Sequence, residues 1–391
     1  MLAGLAAAGL ACAAPAGSRT WNIYADGSGD ARTIQRAMEL AAFGDTVLVW
    51  PGTYLEAITM TSGVTLVSQA GPASTILNGR PHPYVIDAGR TNPVTQVVVE
   101  GFTLTGTTNS FAGPARTIDV DGDAQIRGCV VTGVRALVAG AHLRRGDLRI
   151  HDTVFAHNQG GFLDPWVSGV SVQDGYLVVE RCTFLDCTRG FVLRVDGGVV
   201  EFLENVVRES ERIEIVATKS VVIYDNVFDG VPFPITVWGG PPVIVRQNTF
   251  ARAGPNVAAL GPSLGANTIV DRNVMTGARQ GLVLCCPGIT VTCNDSWGNE
   301  INWSGRGDLT GIDGNFSAPP EYCDPANGDF SVSSDSPLLS QNSPCDEQVG
   351  ALVAGCPATP VEGSTWGSIK ARYKSPDGSP AAGSMPRSRQ D

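Results

Sequence analysis

Val, Ile and Leu come in short bursts along this chain, each alternating with polar residues and followed by a tight polar turn. Alternation with a period of two marks strands that bury one face. The bursts come in pairs, and the second member of each pair ends at Phe102, Cys129, Thr153, Cys182, Asn205, Asn226, Asn248, Asn273 and Asn294. Successive separations are 27, 24, 29, 23, 21, 22, 25 and 21 residues. A unit that short cannot bury its own apolar face and must stack on its neighbours. β-Branched residues dominate the bursts, as in Gly169-Val170-Ser171-Val172 and Pro234-Ile235-Thr236-Val237. They suit a narrow core between parallel sheets. The pattern predicts an all-β fold, a single-stranded right-handed parallel β-helix.

The recurrent Asn205, Asn226, Asn248, Asn273 and Asn294 occupy one turn position. Pointing inward, they would form a structural ladder that satisfies backbone groups from rung to rung. Asn also tolerates the left-handed geometry expected of such a turn. One early helix is expected over residues 33–42, capped by Asp30, with Ile34, Ala37, Met38 and Ala41 on its apolar face. It would cover an open solenoid end. The predicted organisation is a signal peptide over residues 1–20, a β-helix with an N-terminal cap and a cysteine-containing C-terminal cap over 21–356, and a flexible tail over 357–391. Within the tail, residues 365–373 form a short candidate sorting or docking motif.

Composition narrows the partners. The net charge of -11 opposes general binding to nucleic acid or anionic membranes. The first 16 residues read as the apolar stretch and small-residue cleavage zone of a secretory signal, without a basic residue before Arg19. No later segment is apolar enough to span a membrane. Secretion or cell-surface display is the expected localisation, and ten cysteines fit an oxidising compartment. Cys129 and Cys182 stand two rungs apart, about 9.6 Å, too far for a disulfide. Cys182 with Cys187 is an available pairing, and Cys285, Cys286, Cys293, Cys323, Cys345 and Cys356 should staple the last coils. The sequence sets no oligomeric state.

The opening words Ala25-Asp26-Gly27-Ser28-Gly29-Asp30, Thr33-Ile34-Gln35-Arg36-Ala37, Gly44-Asp45-Thr46-Val47 and Pro51-Gly52-Thr53-Tyr54-Leu55-Glu56 resemble the start of secreted pectin-lyase-like β-helix proteins. Pectinesterases, pectate lyases and many bacterial β-helix repeat proteins share that opening. As architecture the resemblance covers residues 21–356, and Ser334-Asp335-Ser336-Pro337-Leu338-Leu339 resembles a closing phrase of bacterial members. The resemblance implies the fold rather than a reaction. Gln173-Asp174 matches the pectinesterase Gln-Asp pair but lacks the Thr-Leu that follows it in that family. The Asn-Thr-Asp, Gly-His-Gly and Arg-Ile-Lys words of polygalacturonases and the Asp-Pro-His-Asp word of alginate epimerases are absent.

Counting back eight to ten residues from each ladder position reaches Asp121, Arg145, Gln173, Asp196, Thr218 and Trp238. In register, these would stack at about 4.8 Å at one sheet end. Asp119, Ser171 and Arg194, two residues earlier, would share the outward face. Such a strip suits an acidic polysaccharide. Arg145 and Arg194 could pair with uronate groups, Asp119, Gln173 and Trp238 could bind sugar, and Asp119, Asp121 and Asp123 could recruit calcium. A lyase would need a base for the C5 proton, with His151 as an alternative to the strip arginines. A hydrolase would need two carboxyl groups about 5 to 9.5 Å apart, such as Asp121 with Asp119 or Asp196. Trp297 and Trp303 could stack on sugars. The leading expectation is polysaccharide binding. The alternatives are a calcium-assisted lyase using Asp121, Arg145 and Asp196, and a non-catalytic adhesion solenoid. No other cofactor is implied.

Overall fold

The computed structural model describes residues 17–90, 92–106, 115–136, 138–160, 167–216, 219–232, 234–237, 242–260, 267–284, 287–351 and 355–356. Residues 1–16 of the expected signal peptide, Thr218, Trp238, Cys285, Cys286 and the tail with its 365–373 motif lie outside them.

In each coil the chain crosses three sheets in turn. The first full coil runs through Thr46–Val49, Gly52–Tyr54 and Ile58–Thr59 before Thr65–Ser68 returns to the first sheet. Among the described residues the first and second sheets have 12 strands each and the third has 8. Neighbouring strands of these sheets pair in parallel, at register offsets of one coil. This is the parallel β-helix that the repeat predicts.

Inward positions stack like on like. On the first sheet Val99, Ile126, Ile150, Val179, Phe202 and Ile223 follow one another, all fully buried. On the second, Phe155 lies on Phe184 at 4.8 Å between ring centroids and Phe228 on Phe250 at 4.9 Å. Parallel registration places each ring over its neighbour, so a one-residue slip would expose the whole row.

The corner between first and second sheets carries the asparagine ladder. The amide oxygen of Asn226 accepts the Asn205 backbone N–H at 2.8 Å and the Asn205 side-chain amide at 3.0 Å. The pattern repeats through Asn248, Asn273 and Asn294 and continues to Asn315. These side chains are buried, and their amides also donate to carbonyls of the preceding coil. The left-handed residue of the corner is the one before the asparagine. Glu204, Asp225, Gln247, Arg272 and Cys293 have φ between 54° and 58°. The expectation that Asn supplies that conformation is therefore corrected. Its backbone must follow the next strand so that its side chain can turn inward.

The helix is Ile34–Leu40, capped by Thr33, whose hydroxyl accepts the Arg36 N–H. Asp30, the expected cap, instead accepts the backbone N–H of Asn22 at 2.7 Å. Ile34, Ala37 and Met38 are buried as expected, and the helix packs on Thr20–Ile23, Thr46–Val49 and Ile58–Thr59. Glu56 accepts the N–H groups of Ile34 and Gln35 at 3.1 and 3.0 Å, satisfying free donors of the first turn. Asp45 accepts from the backbone of Ala42 and Arg19 and from the Trp21 indole. These bonds, Ala42 first, hold its carboxyl below the usual range. The opening words are thus the joinery of the first coil.

At the far end, disulfides join Cys293 to Cys345 and Cys323 to Cys356. Cys182 and Cys187 are free and buried, as is Cys129, so the Cys182–Cys187 pairing is corrected. The two flank the strand Thr183–Leu185, whose three residues alone span about 10 Å. The C-terminal segment returns along the solenoid. The Arg208 guanidinium donates to the Gly328 carbonyl, and both Arg208 and Arg252 bind the fully buried Asp229.

Candidate functional site on the third sheet

All eight strands of the third sheet present the same triplet, apolar then polar then apolar. The polar members form one outward row: Thr59, Asp87, Asp119, His142, Ser171, Arg194, Glu214 and Thr236. The flanking apolar residues, such as Ile118 and Val120, or Ala141 and Leu143, point into the core and are fully buried. An outward row should be wet. Asp87, Asp119, His142, Ser171, Glu214 and Thr236 are nevertheless all less than one-tenth exposed.

Charge at the N-terminal end of the row is paired. Arg144 grips Asp119 through two hydrogen bonds of 3.1 and 2.6 Å, and Arg116 approaches the same carboxylate at 3.5 Å. Asp87 accepts the Arg90 N–H at 2.8 Å, while burial, the larger effect, pushes its carboxyl above the usual range. At the other end Arg194 holds Asp196, at 3.1 Å from its Nε, and also Glu214. Between the two ion-pair groups, His142 Nδ1 and Ser171 Oγ share a hydrogen bond of 2.6 Å. Burial, then the nearby Arg116, lowers the His142 pKa to about 4, so the ring is neutral at physiological pH. Among the described residues its Nε2 is buried without a partner.

Local backbone sets this pair apart. The strands Val138–Leu143 and Val167–Val172 match each other residue for residue. Each carries one extra residue relative to its other neighbour, so the register shifts between Arg116 and Ile118 on one side and between Val167 and Val170 on the other. Gly140 and Gly169 lie in this bulged stretch. A Cβ on Gly140 would stand 2.0 Å from the Gly169 carbonyl, and one on Gly169 would stand 2.1 Å from that of Val192. The two bulged coils are the ones that bear His142 and Ser171, and bulges commonly re-aim side chains beside functional sites.

The structure brings Asp119, Ser171 and Arg194 into one row, as the alternation implies. The neighbouring row is corrected. Asp121 is followed by Arg144, then Gln173 and Asp196, with Val216 on the next coil. Arg145 stands one residue further along, in the turn. A fixed count back from the ladder cannot choose within Arg144-Arg145, whereas pairing of Leu143 with Val120 and Val172 does. Arg145 still reaches Asp121, at 3.1 and 2.8 Å, from a largely exposed position. Gln173 is exposed.

The three acids considered for calcium are engaged elsewhere. Asp119 and Asp121 face guanidinium groups, and Asp123 accepts the Asp147 N–H at 3.2 Å. Among the described residues no group of three His, Cys, Asp or Glu is arranged to hold a metal ion. His151 lies on the first sheet beside Asp152, at 3.2 Å, away from the row. Trp303 is buried, its indole donating to Thr310, and Trp297 is partly exposed on the second sheet. Sequence reasoning passed over Asp87, His142 and Glu214. The signal for them was present, because each is the polar centre of an apolar–polar–apolar triplet.

No protein-family model matches this chain, and no curated protein does. Among solved structures it is similar to a mutant form of a PL6 family alginate lyase, AlyGC, at 14% identity and a TM-score of 0.45. The likeness covers 84% of this chain and 58% of that one, so the chain spans under two thirds of that protein's length.

Proposed function

We propose that this is an exported β-helix protein, right-handed and capped by its N-terminal helix, that binds an extracellular or cell-wall polysaccharide along the third sheet. The observation that carries the reading is the charged row from Asp87 to Glu214, with Arg144 paired to Asp119 and, in the neighbouring row, Arg145 paired to Asp121. A strip of paired carboxylates and guanidinium groups at the spacing of successive rungs offers donors and acceptors along a line. That matches an extended polymer better than a compact ligand. Exposed Arg145 and Gln173 at its edge are placed to meet acidic and hydroxyl groups. Two disulfides and the lack of a membrane-spanning helix among the described residues are compatible with an extracellular protein.

The test is binding of the mature protein to a panel of neutral and acidic polysaccharides, with calcium and with chelator. Saturable binding lost in Arg145→Ala/Gln173→Ala supports the reading. Absence of any glycan binding favours a structural solenoid, and release of unsaturated products in the calcium arm would instead establish a lyase.

A further inference from the structure

We infer that His142 and Ser171 form a catalytic dyad for acyl transfer, with Ser171 as nucleophile and His142 as base, acting on ester groups of the polymer proposed above. The inference rests on that reading only for the identity of the substrate. A serine within 2.6 Å of an imidazole nitrogen is the arrangement that activates a hydroxyl, and here it stands isolated between two ion-pair groups. The imidazole is neutral and so able to accept a proton. With the Ser171 hydroxyl donating to Nδ1, Nε2 carries the ring hydrogen. That buried donor lacks a partner among the described residues, a costly state that a bound group would relieve.

The chemistry balances without a cofactor. Ser171 Oγ bonds to the ester carbonyl carbon as its proton passes to His142 Nδ1. The tetrahedral oxyanion forms next to Arg194, the residue in register with Ser171 on the next coil. The carbon–oxygen bond to the sugar breaks, and the sugar oxygen takes the proton from Nδ1. Water then attacks the acyl-serine, gives its proton to His142, and releases the carboxylic acid as Ser171 recovers its hydrogen. The bulge shared by the two coils has a use in this scheme, since it sets both side chains apart from the regular rungs.

The experiment treats the purified full chain with a fluorophosphonate probe and, separately, with p-nitrophenyl acetate. Ser171→Ala and His142→Gln are run in parallel, and circular dichroism verifies their fold. The expected result is one adduct, mapped to Ser171, and an ester hydrolysis rate that falls at least a hundredfold in both variants. No adduct at Ser171, or hydrolysis equal in wild type and folded variants, overturns the dyad. Polysaccharide binding measured on the same samples separates the two ideas. Binding without a Ser171 adduct removes the dyad and leaves the proposed function standing. A Ser171 adduct without polysaccharide binding keeps the dyad and removes the polymer.

Discussion

The outward faces of the first and third sheets are built by the same repeat and carry ion pairs of the same kinds, yet they differ in burial. On the first sheet Arg127 meets Glu100 at 2.7 Å with both side chains about two-fifths exposed. On the third, Arg144 meets Asp119 at 2.6 Å with the carboxylate only 3% exposed. The first kind of pair is what any soluble solenoid needs to stay wet, and it adds little stability. The second kind gives up the hydration of the carboxylate and must recover it through geometry. A stack needs polar groups outside but has no need to bury them. The difference marks Asp119 as a place where position matters more than solubility, as does the buried Asp271 of the first sheet, which binds Arg246 at 2.8 Å.

The comparison is broken first by truncating one partner on each face. Asp119→Ala strands Arg144 and Arg116 beside a buried vacancy and should cost about 3–5 kcal/mol in urea unfolding. Glu100→Ala on the first sheet should cost about 1 kcal/mol or less. Equal effects would erase the distinction between the faces.

A buried acid without a cationic partner sharpens the same point. Asp295 on the second sheet is buried, accepts only the Ala318 N–H at 3.0 Å, and keeps its second oxygen unpartnered. Burial raises its pKa to about 8. The sign follows from the folded value lying above the unfolded one, about 3.9. The stabilising contribution is full below pH 4 and is lost as pH rises to about 8. Thermal unfolding of the wild type should therefore fall across that range, on the order of a few kcal/mol, and Asp295→Asn should flatten the slope.

The inward corner provides a smaller and independent effect. Asn248→Ala leaves the Asn226 N–H without its acceptor and takes one donor each from the Ile223 and Arg246 carbonyls. It should cost about 1–3 kcal/mol and leave ligand binding unchanged. Smallest of all is Arg127→Ala, expected to shift stability by about 0.5 kcal/mol or less and to leave polysaccharide affinity untouched.

Much of this was legible in the sequence, for a physical reason. The 21- to 29-residue period and the inward asparagines are repeated statements of one constraint, that each coil must match the next. Asp119, Ser171 and Arg194 could be aligned because alternation within a strand is strict. Arg144 and Arg145 could not be told apart, because the turn after each third-sheet strand varies while the strand does not. His142 was missed because the count reached Arg145 rather than Arg144, and two residues before Arg145 stands the inward Leu143. The importance of His142 lies in a contact with a residue 29 positions away.

The most direct test of the third sheet as the binding face is a pair of dissociation constants on the polysaccharide that the wild type binds best. Arg145→Ala/Gln173→Ala should weaken binding at least tenfold, while Arg127→Ala on the first sheet should match wild type. Loss of affinity in Arg127→Ala, with the third-sheet variant unchanged, would contradict the assignment and move the site to the first sheet.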